Sequence, residues 1–395
     1  MAQKTDQDRE TRTEGGEDRD MLIMLASARR PLWPSIGAAM LTSLCLAACA
    51  EPNNGARLSD GSAGTGGGTM GDSGGAPAGD PGVDGGATAP RLYLGAVVAA
   101  NGVYVATGVL DGDFGSDSVI LTSEDGTGWA LRYRGGDEQI DSVAYGDGHW
   151  VAAGWGVKEV GTDFVRSRSV IVSEDGTTWR TIASPESEGF HEIIWTGTEF
   201  LMTGELSSSW GLWSSPTGSA WTERMIGNIP GQLASGAPGI VGSSSAAVVF
   251  SDDSGANWSS FAIDPANYVL GLWPEGGGFG GAAVNICCFG EQPSSNQYYL
   301  MHSNDGRVWD LQQPAGHVPI AVAQRGETWV GISARDGSLL YRNAETSVWT
   351  AKLGAPFALA VTAGARFVAV GRGIWSSEDG KTWTPATLPT EIAGH

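Results

Sequence analysis

Acidic residues that fall close together on polar stretches are the first that could do chemistry. Asp111, Asp113 and Asp117 crowd one such stretch, and Glu205 lies on another. Asp111, Asp113 and Glu205 are acids of the kind glycoside hydrolysis uses, where two carboxyls flank the scissile bond about 5 to 9.5 Å apart. Asp111, Asp113 and Asp117 also offer oxygens to calcium, but the twelve-residue loop with its closing Glu is missing. Calcium is therefore a lesser expectation, and no other metal or cofactor is called for. Trp155 and Trp210 are apolar platforms for a sugar face or a partner's side chain, and Asp163, Arg166 and Glu291 supply charge on similar stretches. Cys287 and Cys288 are adjacent and open to three states: a strained vicinal disulfide, two thiols, or a soft metal site. No His or further Cys is spaced to complete the last of these.

Most of these residues lie on the polar stretches 108–118, 154–169, 204–211 and 285–297, read as long loops; shorter ones carry His191, His317, Arg335, Asp336 and Arg372. Long loops in a compact repeat fold are where function concentrates. Between them run short β-branched and aromatic segments. Residues 141–145 alternate, Gly146-Asp147-Gly148 turns, Trp150 to Gly154 returns, and Ser169 to Val172 comes after the polar stretch. Asp-Gly and Asn-Gly pairs tolerate the positive φ of tight hairpins, so the pattern reads as antiparallel strands.

These segments belong to a repeat. Ser173-Glu174-Asp175-Gly176-Thr177-Thr178-Trp179 recurs in the same Ser-x-Asp-Gly-x-x-Trp form at 123–129, 303–309 and 377–383. A one-residue-longer copy spans 251–258, and decayed copies span 215–221 and 343–349. The seven closing tryptophans, Trp129, Trp179, Trp221, Trp258, Trp309, Trp349 and Trp383, are 34 to 51 residues apart. A period in this range means a solenoid, an array or a propeller. Four strands per unit predicts an all-β fold: one seven-bladed β-propeller over 91–390, each blade an antiparallel meander. The blades are expected at 92–134, 139–184, 190–226, 232–263, 268–313, 318–353 and 357–388. Each has its own four strands, so no split blade is foreseen to latch the ring. Tyr104, Trp150, Phe200, Phe279, Trp329 and Phe367 recur on the second strands as bulky layers between blades.

The signature resembles the Asp-box, or bacterial neuraminidase repeat. The 251–258 copy fits its Ser-x-Asp-x-Gly-x-x-Trp pattern outright, and the four others are one residue shorter. The resemblance covers roughly 92–390 and implies that Asp125, Asp175, Asp253, Asp305 and Asp379 brace turns between third and fourth strands, away from any ligand. It also brings in sialidase chemistry, in which an arginine triad holds a substrate carboxylate; Arg168, Arg335 and Arg372 are the candidates here. Sialidases have six blades and an Arg-Ile-Pro motif, and neither is found. Single seven-bladed rings with these boxes are similar in mode to the photosystem II assembly factor family, which binds without turnover. Two readings result: a non-catalytic module gripping a protein or glycan on its top face, or a glycoside hydrolase. The first is preferred, with the chain acting as a monomer.

The address is read from residues 1–90. Residues 1–20 carry seven acids against four bases, odd ahead of a signal, so translation is expected to begin at Met21 or Met24. Arg29-Arg30 and the apolar run 36–48 read as a secretory signal too short to span a membrane. Its end, Leu46-Ala47-Ala48-Cys49, resembles a bacterial lipobox; this implies a lipidated Cys49 and, with Ala50, the outer membrane of the cell envelope. Residues 49–90 are rich in Gly, Ala, Ser and Asp, and read as a disordered tether. An oxidising envelope tilts the Cys287–Cys288 pair towards the disulfide. A net charge of −21 repels phosphate backbones, which argues against nucleic acid.

Overall fold

The computed structural model describes residues 91–112, 115–136, 138–160, 163–227, 231–244, 246–286, 296–343, 348–351 and 357–393. Seven four-stranded sheets succeed one another along the chain, each antiparallel and paired in sequence order. The first holds β1 (Arg91–Ala100), β2 (Val103–Gly112), β3 (Gly115–Ser123) and β4 (Ala130–Gly135). The other six cover 139–182, 189–227, 233–262, 268–312, 319–351 and 358–385. First strands touch first strands from each blade to the next, and that of blade seven (Ala358–Ala363) touches β1. The ring is therefore closed, with its innermost strands around the centre. The turn between β1 and β2 shows why Asn-Gly punctuates the hairpins, since Asn101 and Gly102 take φ of 49° and 75°.

The core lies between the blades rather than within any one of them. The buried apolar side chains form seven clusters, one at each blade junction among the described residues. Trp150, Phe200, Phe279 and Phe367 are wholly buried and Tyr104 nearly so, while Trp329 packs half-buried at the junction of blades five and six. Each such ring removed from water is worth roughly 1.5–3 kcal/mol, so the second-strand aromatics are major terms in blade stacking.

A second periodic feature is not a sequence motif. The innermost strand carries a β-bulge in six of the seven blades, at Gly95, Asp141, His191, Leu270, Ile320 and Leu359; blade four has none. A bulge sets two residues against one and so re-aims side chains. Its mark is core residues three apart instead of two: Leu94 and Val97, Ile140 and Val143, Phe190 and Ile193 each share one cluster.

No blade lends a strand to its neighbour at the seam, as foreseen. The seam is held by the segment after blade seven. Ala386 N–H donates to Ile374 O at 2.9 Å. Thr387 then pairs with the turn of blade one, donating to Thr127 O at 2.7 Å and accepting from Trp129 N–H at 3.0 Å. The short helix α1 (Thr390–Ala393) sets Ile392, 5 % exposed, into the cluster of blades one and seven.

The loops expected at 108–118, 154–169 and 204–211 are instead prolonged hairpins. In blade two the strands His149–Val160 and Asp163–Ser173 keep pairing out to Val160 and Asp163, well past the end of the first strand at Gln139. Blades one and three do the same between Gly112 and Gly115 and between Leu206 and Ser209. Polar composition suggested loops. Antiparallel pairing satisfies the backbone whatever the side chains, and that prevails here.

Candidate functional site

The carboxylates of the signature are enclosed by their own turns. Asp175 Oδ1 accepts the amides of Thr177 and Thr178, both at 2.7 Å, and the Ser173 hydroxyl at 3.0 Å. Ser173 Oγ in turn accepts the Gly176 amide at 2.9 Å, and the Trp179 indole donates to Gly176 O at 3.0 Å. Asp125, Asp305 and Asp379 repeat this pattern, and Asp253 does so through Asn257. Amides and hydroxyls hold Asp125 and Asp175 well below the usual carboxylate range, and the Asn257 side chain and amide bring Asp253 down to about 2. The box glycine is held against the preceding blade. A Cβ on Gly306 would lie 2.3 Å from Phe250 Cδ2.

A different group assembles at the opposite ends of the third strands, over blades two and three. His191, on a bulge, lies between two indoles: its ring is 5.9 Å from that of Trp155 and 5.0 Å from that of Trp210. Gly189 lets blade three approach, since a Cβ there would be 2.7 Å from Trp155 Cβ. Beside the rings, the Arg166 guanidinium pairs with Glu205 and with Glu188, the latter at 3.3 Å. Asp141, at the matching bulge of blade two, accepts from the Gln139 amide and faces the Trp155 indole. Burial pushes its carboxyl up to about 7. Burial likewise pushes His191 below its ordinary value, opposed by Glu205. Among the described residues, Trp155 Nε1 and His191 Nε2 are buried without a hydrogen-bond partner of good geometry. Two flat apolar surfaces, an imidazole that burial disfavours in its charged form, a carboxyl raised to about 7 and an ion pair thus share one rim.

Glu192, next to His191, has another place. Its Oε2 accepts the Leu233 amide of blade four at 2.7 Å, as Ser142 Oγ accepts Ile193 N–H at 3.0 Å one junction earlier. Burial raises Glu192 to about 8, and the bond ties blades together.

Of the residues singled out from sequence, Trp155, Trp210, Arg166, Glu205 and His191 come together. The three arginines do not: Arg168 donates to Pro185 O at 3.0 Å, Arg335 lies 5.3 Å over Tyr298, and Arg372 lies 5.7 Å over Tyr93. The side chains of Asp111 and Asp163 lie outside the described residues, as do Asp113, Cys287, Cys288, Glu291 and Cys49. Among the described residues, no group of three or more His, Cys, Asp or Glu is placed to hold a metal. Asp141 and Glu188 escaped sequence reading because each sits at the edge of a strand pattern. The three-residue spacing of Ile140 and Val143 is the signal that marks Asp141.

Fold and rim define a seven-bladed β-propeller with four antiparallel strands per blade and a bulge on the innermost strand of six of them. No family model and no curated relative matches the chain. Solved propellers do. YCF48 bound to D1 peptide superposes with a TM-score of 0.52 at 12 % identity, over 75 % of this chain and 94 % of that one. The β-propeller domain of the Trilobed protease from Pyrococcus furiosus gives 0.51 at 9 % identity, over 76 % and 97 %. At such identities the likeness is one of fold.

Proposed function

We propose that this chain is a binding module that holds a polypeptide on the rim of blades two and three. The observation that carries it is the row Trp155, His191, Trp210 beside the Arg166–Glu205 pair. Aromatic surface next to an orienting charge is what protein interfaces use as anchors. That a neighbour in fold was solved with a peptide supports the reading. The signature turns are Asp-boxes, structural in role, and it is by these turns, not by blade number, that the chain is grouped with the sialidase-like propellers. Residues 1–48 are its leader and lipoprotein signal; a lipid on Cys49 holds the ring at the outer membrane through the 49–90 tether, as a monomer.

The test is a peptide-array screen with the full chain, then Trp210→Ala and Arg166→Gln. Bound peptides should lose about tenfold in affinity with either change, the loss of one anchor contact. Peptides that bind both variants as tightly as the parent would place the site elsewhere. One observation favours a second reading: an acid kept protonated near pH 7 beside indoles, as Asp141 is, is what a glycosidase uses as its general acid. Turnover of methylumbelliferyl glycosides that vanishes in Asp141→Asn would establish it.

A further inference from the structure

The rim of blades two and three carries more acid than its own bases neutralise. Among the described side chains, it and the segment joining its two blades hold Arg166 and Arg168 against Glu186, Glu188 and Glu205, one negative charge in excess. The excess is concentrated. A single guanidinium, that of Arg166, serves two carboxylates, Glu205 and Glu188. The Glu188 amide donates to Glu205 O at 2.7 Å, so backbone and guanidinium together keep the two acids side by side. Their side chains are 36 % and 33 % exposed, and both carboxylates can be reached from solvent. Arg168 directs its Nε to Pro185 O at 3.0 Å. His191 brings no compensating charge, because burial disfavours its imidazolium. Asp141, which faces Trp155, adds to the excess whenever it ionises.

The apolar part of the rim is laid out around this acid pair. Trp210 is the cross-strand partner of Glu205, and residues so placed have Cβ atoms about 4.5–5.5 Å apart. Trp155 lies on the other side of His191 from Trp210. Val157, two residues beyond Trp155 on the same face of its strand, is 48 % exposed and is the cross-strand partner of Arg166. Carboxylates beside indoles and open aliphatic surface suit a side chain with a long apolar stem and a cationic head. The stem covers the carbon surface, and the head is attracted by ring and carboxylate alike. The chain's net charge of −21 also draws a basic segment in and repels an acidic one.

We propose that this rim recognises its polypeptide through a basic side chain, lysine or arginine, laid against Trp155 and Trp210 with its charge on Glu188 and Glu205. The inference rests on the reading of the rim as a polypeptide site and names the residue that the site selects. Arg166 is then a positioning residue. Its loss weakens binding, although it takes a positive charge off the rim, because the two acids are no longer held together.

The test uses the full chain on a peptide array printed in three matched versions. The first has each sequence as it stands; the second has Lys acetylated and Arg replaced by citrulline; the third has Asp and Glu replaced by Asn and Gln. Spots abolished by Trp210→Ala should weaken about tenfold in the second version, the loss of a charge-assisted contact, and hold or strengthen in the third. Their affinity, followed by fluorescence anisotropy, should fall as sodium chloride is raised. Glu188→Gln keeps the Arg166–Glu205 pair, so it should fold as the parent does. It should narrow the gap between the first two versions by about threefold, the worth of one exposed ion pair. Trp210-dependent spots that bind as tightly once their cations are neutralised would overturn this inference and leave the polypeptide reading intact. An array without a Trp210-dependent spot would overturn both.

Discussion

Removing everything after Pro385 should loosen the whole ring, because blade one and blade seven share no strand. The cut deletes the two hydrogen bonds between Thr387 and the turn of blade one, at 2.7 and 3.0 Å. At about 1 kcal/mol net for each bond, that is about 2 kcal/mol. It also strips Ile392 from the cluster around Trp129 and Leu92. Burying such a side chain is worth roughly 1.5–3 kcal/mol. The total is about 4 kcal/mol, which for a domain of this size is a fall in Tm of roughly 6 °C. Scanning calorimetry of the full chain against the chain ending at Pro385 measures it. Ile392→Ala alone should give about half the effect, about 2 kcal/mol, the low end for a core truncation near a chain end. The reasoning fails if the shortened chain melts within about 2 °C of the parent, for then the packing of β1 against blade seven closes the ring unaided.

Three further outcomes are expected. Asp141 keeps its proton to about pH 7 in the folded chain, while an ordinary Asp loses it near 3.8. Between those values the folded state binds the extra proton, so stability falls as pH rises. Asp141→Asn should flatten that slope in urea melts at pH 5 and 8, gaining about 2 kcal/mol at the higher pH. Glu192 adds a second slope reaching about pH 8, and Glu192→Gln should remove it in the same melts. Gly306→Ala forces a side chain onto a φ of 75° and into Phe250, and should cost about 2–4 kcal/mol by denaturant midpoint.

The repeat made the architecture legible. Seven tryptophans at a propeller's spacing fix the number of blades, and the β-branched segments between them fix four strands in each. The site was legible only in part. Trp155, Trp210, Arg166 and Glu205 stand out as large or charged residues on polar stretches, but those stretches are strands, and what joins them is pairing register. The arginines Arg168, Arg335 and Arg372 shared a residue type and nothing more. Each is held by a neighbour from its own blade junction or loop. Asp141 was hidden because a bulge breaks the alternation from which strand faces are read.

What distinguishes this ring from a generic one lies where its two periodic devices depart from their own rule. The bulge recurs in six blades and brings mostly apolar or small residues to the inner strands: Gly95, Leu270, Ile320 and Leu359. Only in blades two and three does it bring an acid and an imidazole, and those are the blades whose prolonged hairpins carry the two indoles. The signature turn holds its own carboxylate in five blades. In blade three it keeps the backbone and the buried serine but not the acid. A turn kept without the group that stabilises it is a cost to the fold, and so is the desolvation of the Asp141 carboxyl, which the Gln139 amide offsets only in part. Both costs fall within blades two and three, one on the strand Gln139–Gly146 and one at the turn after Ser209–Ser215, although the blade-six copy at 343–349 lacks the aspartate too. Strain and unsatisfied polarity gather where a fold does its work, which is why the proposed binding site is placed on these two blades.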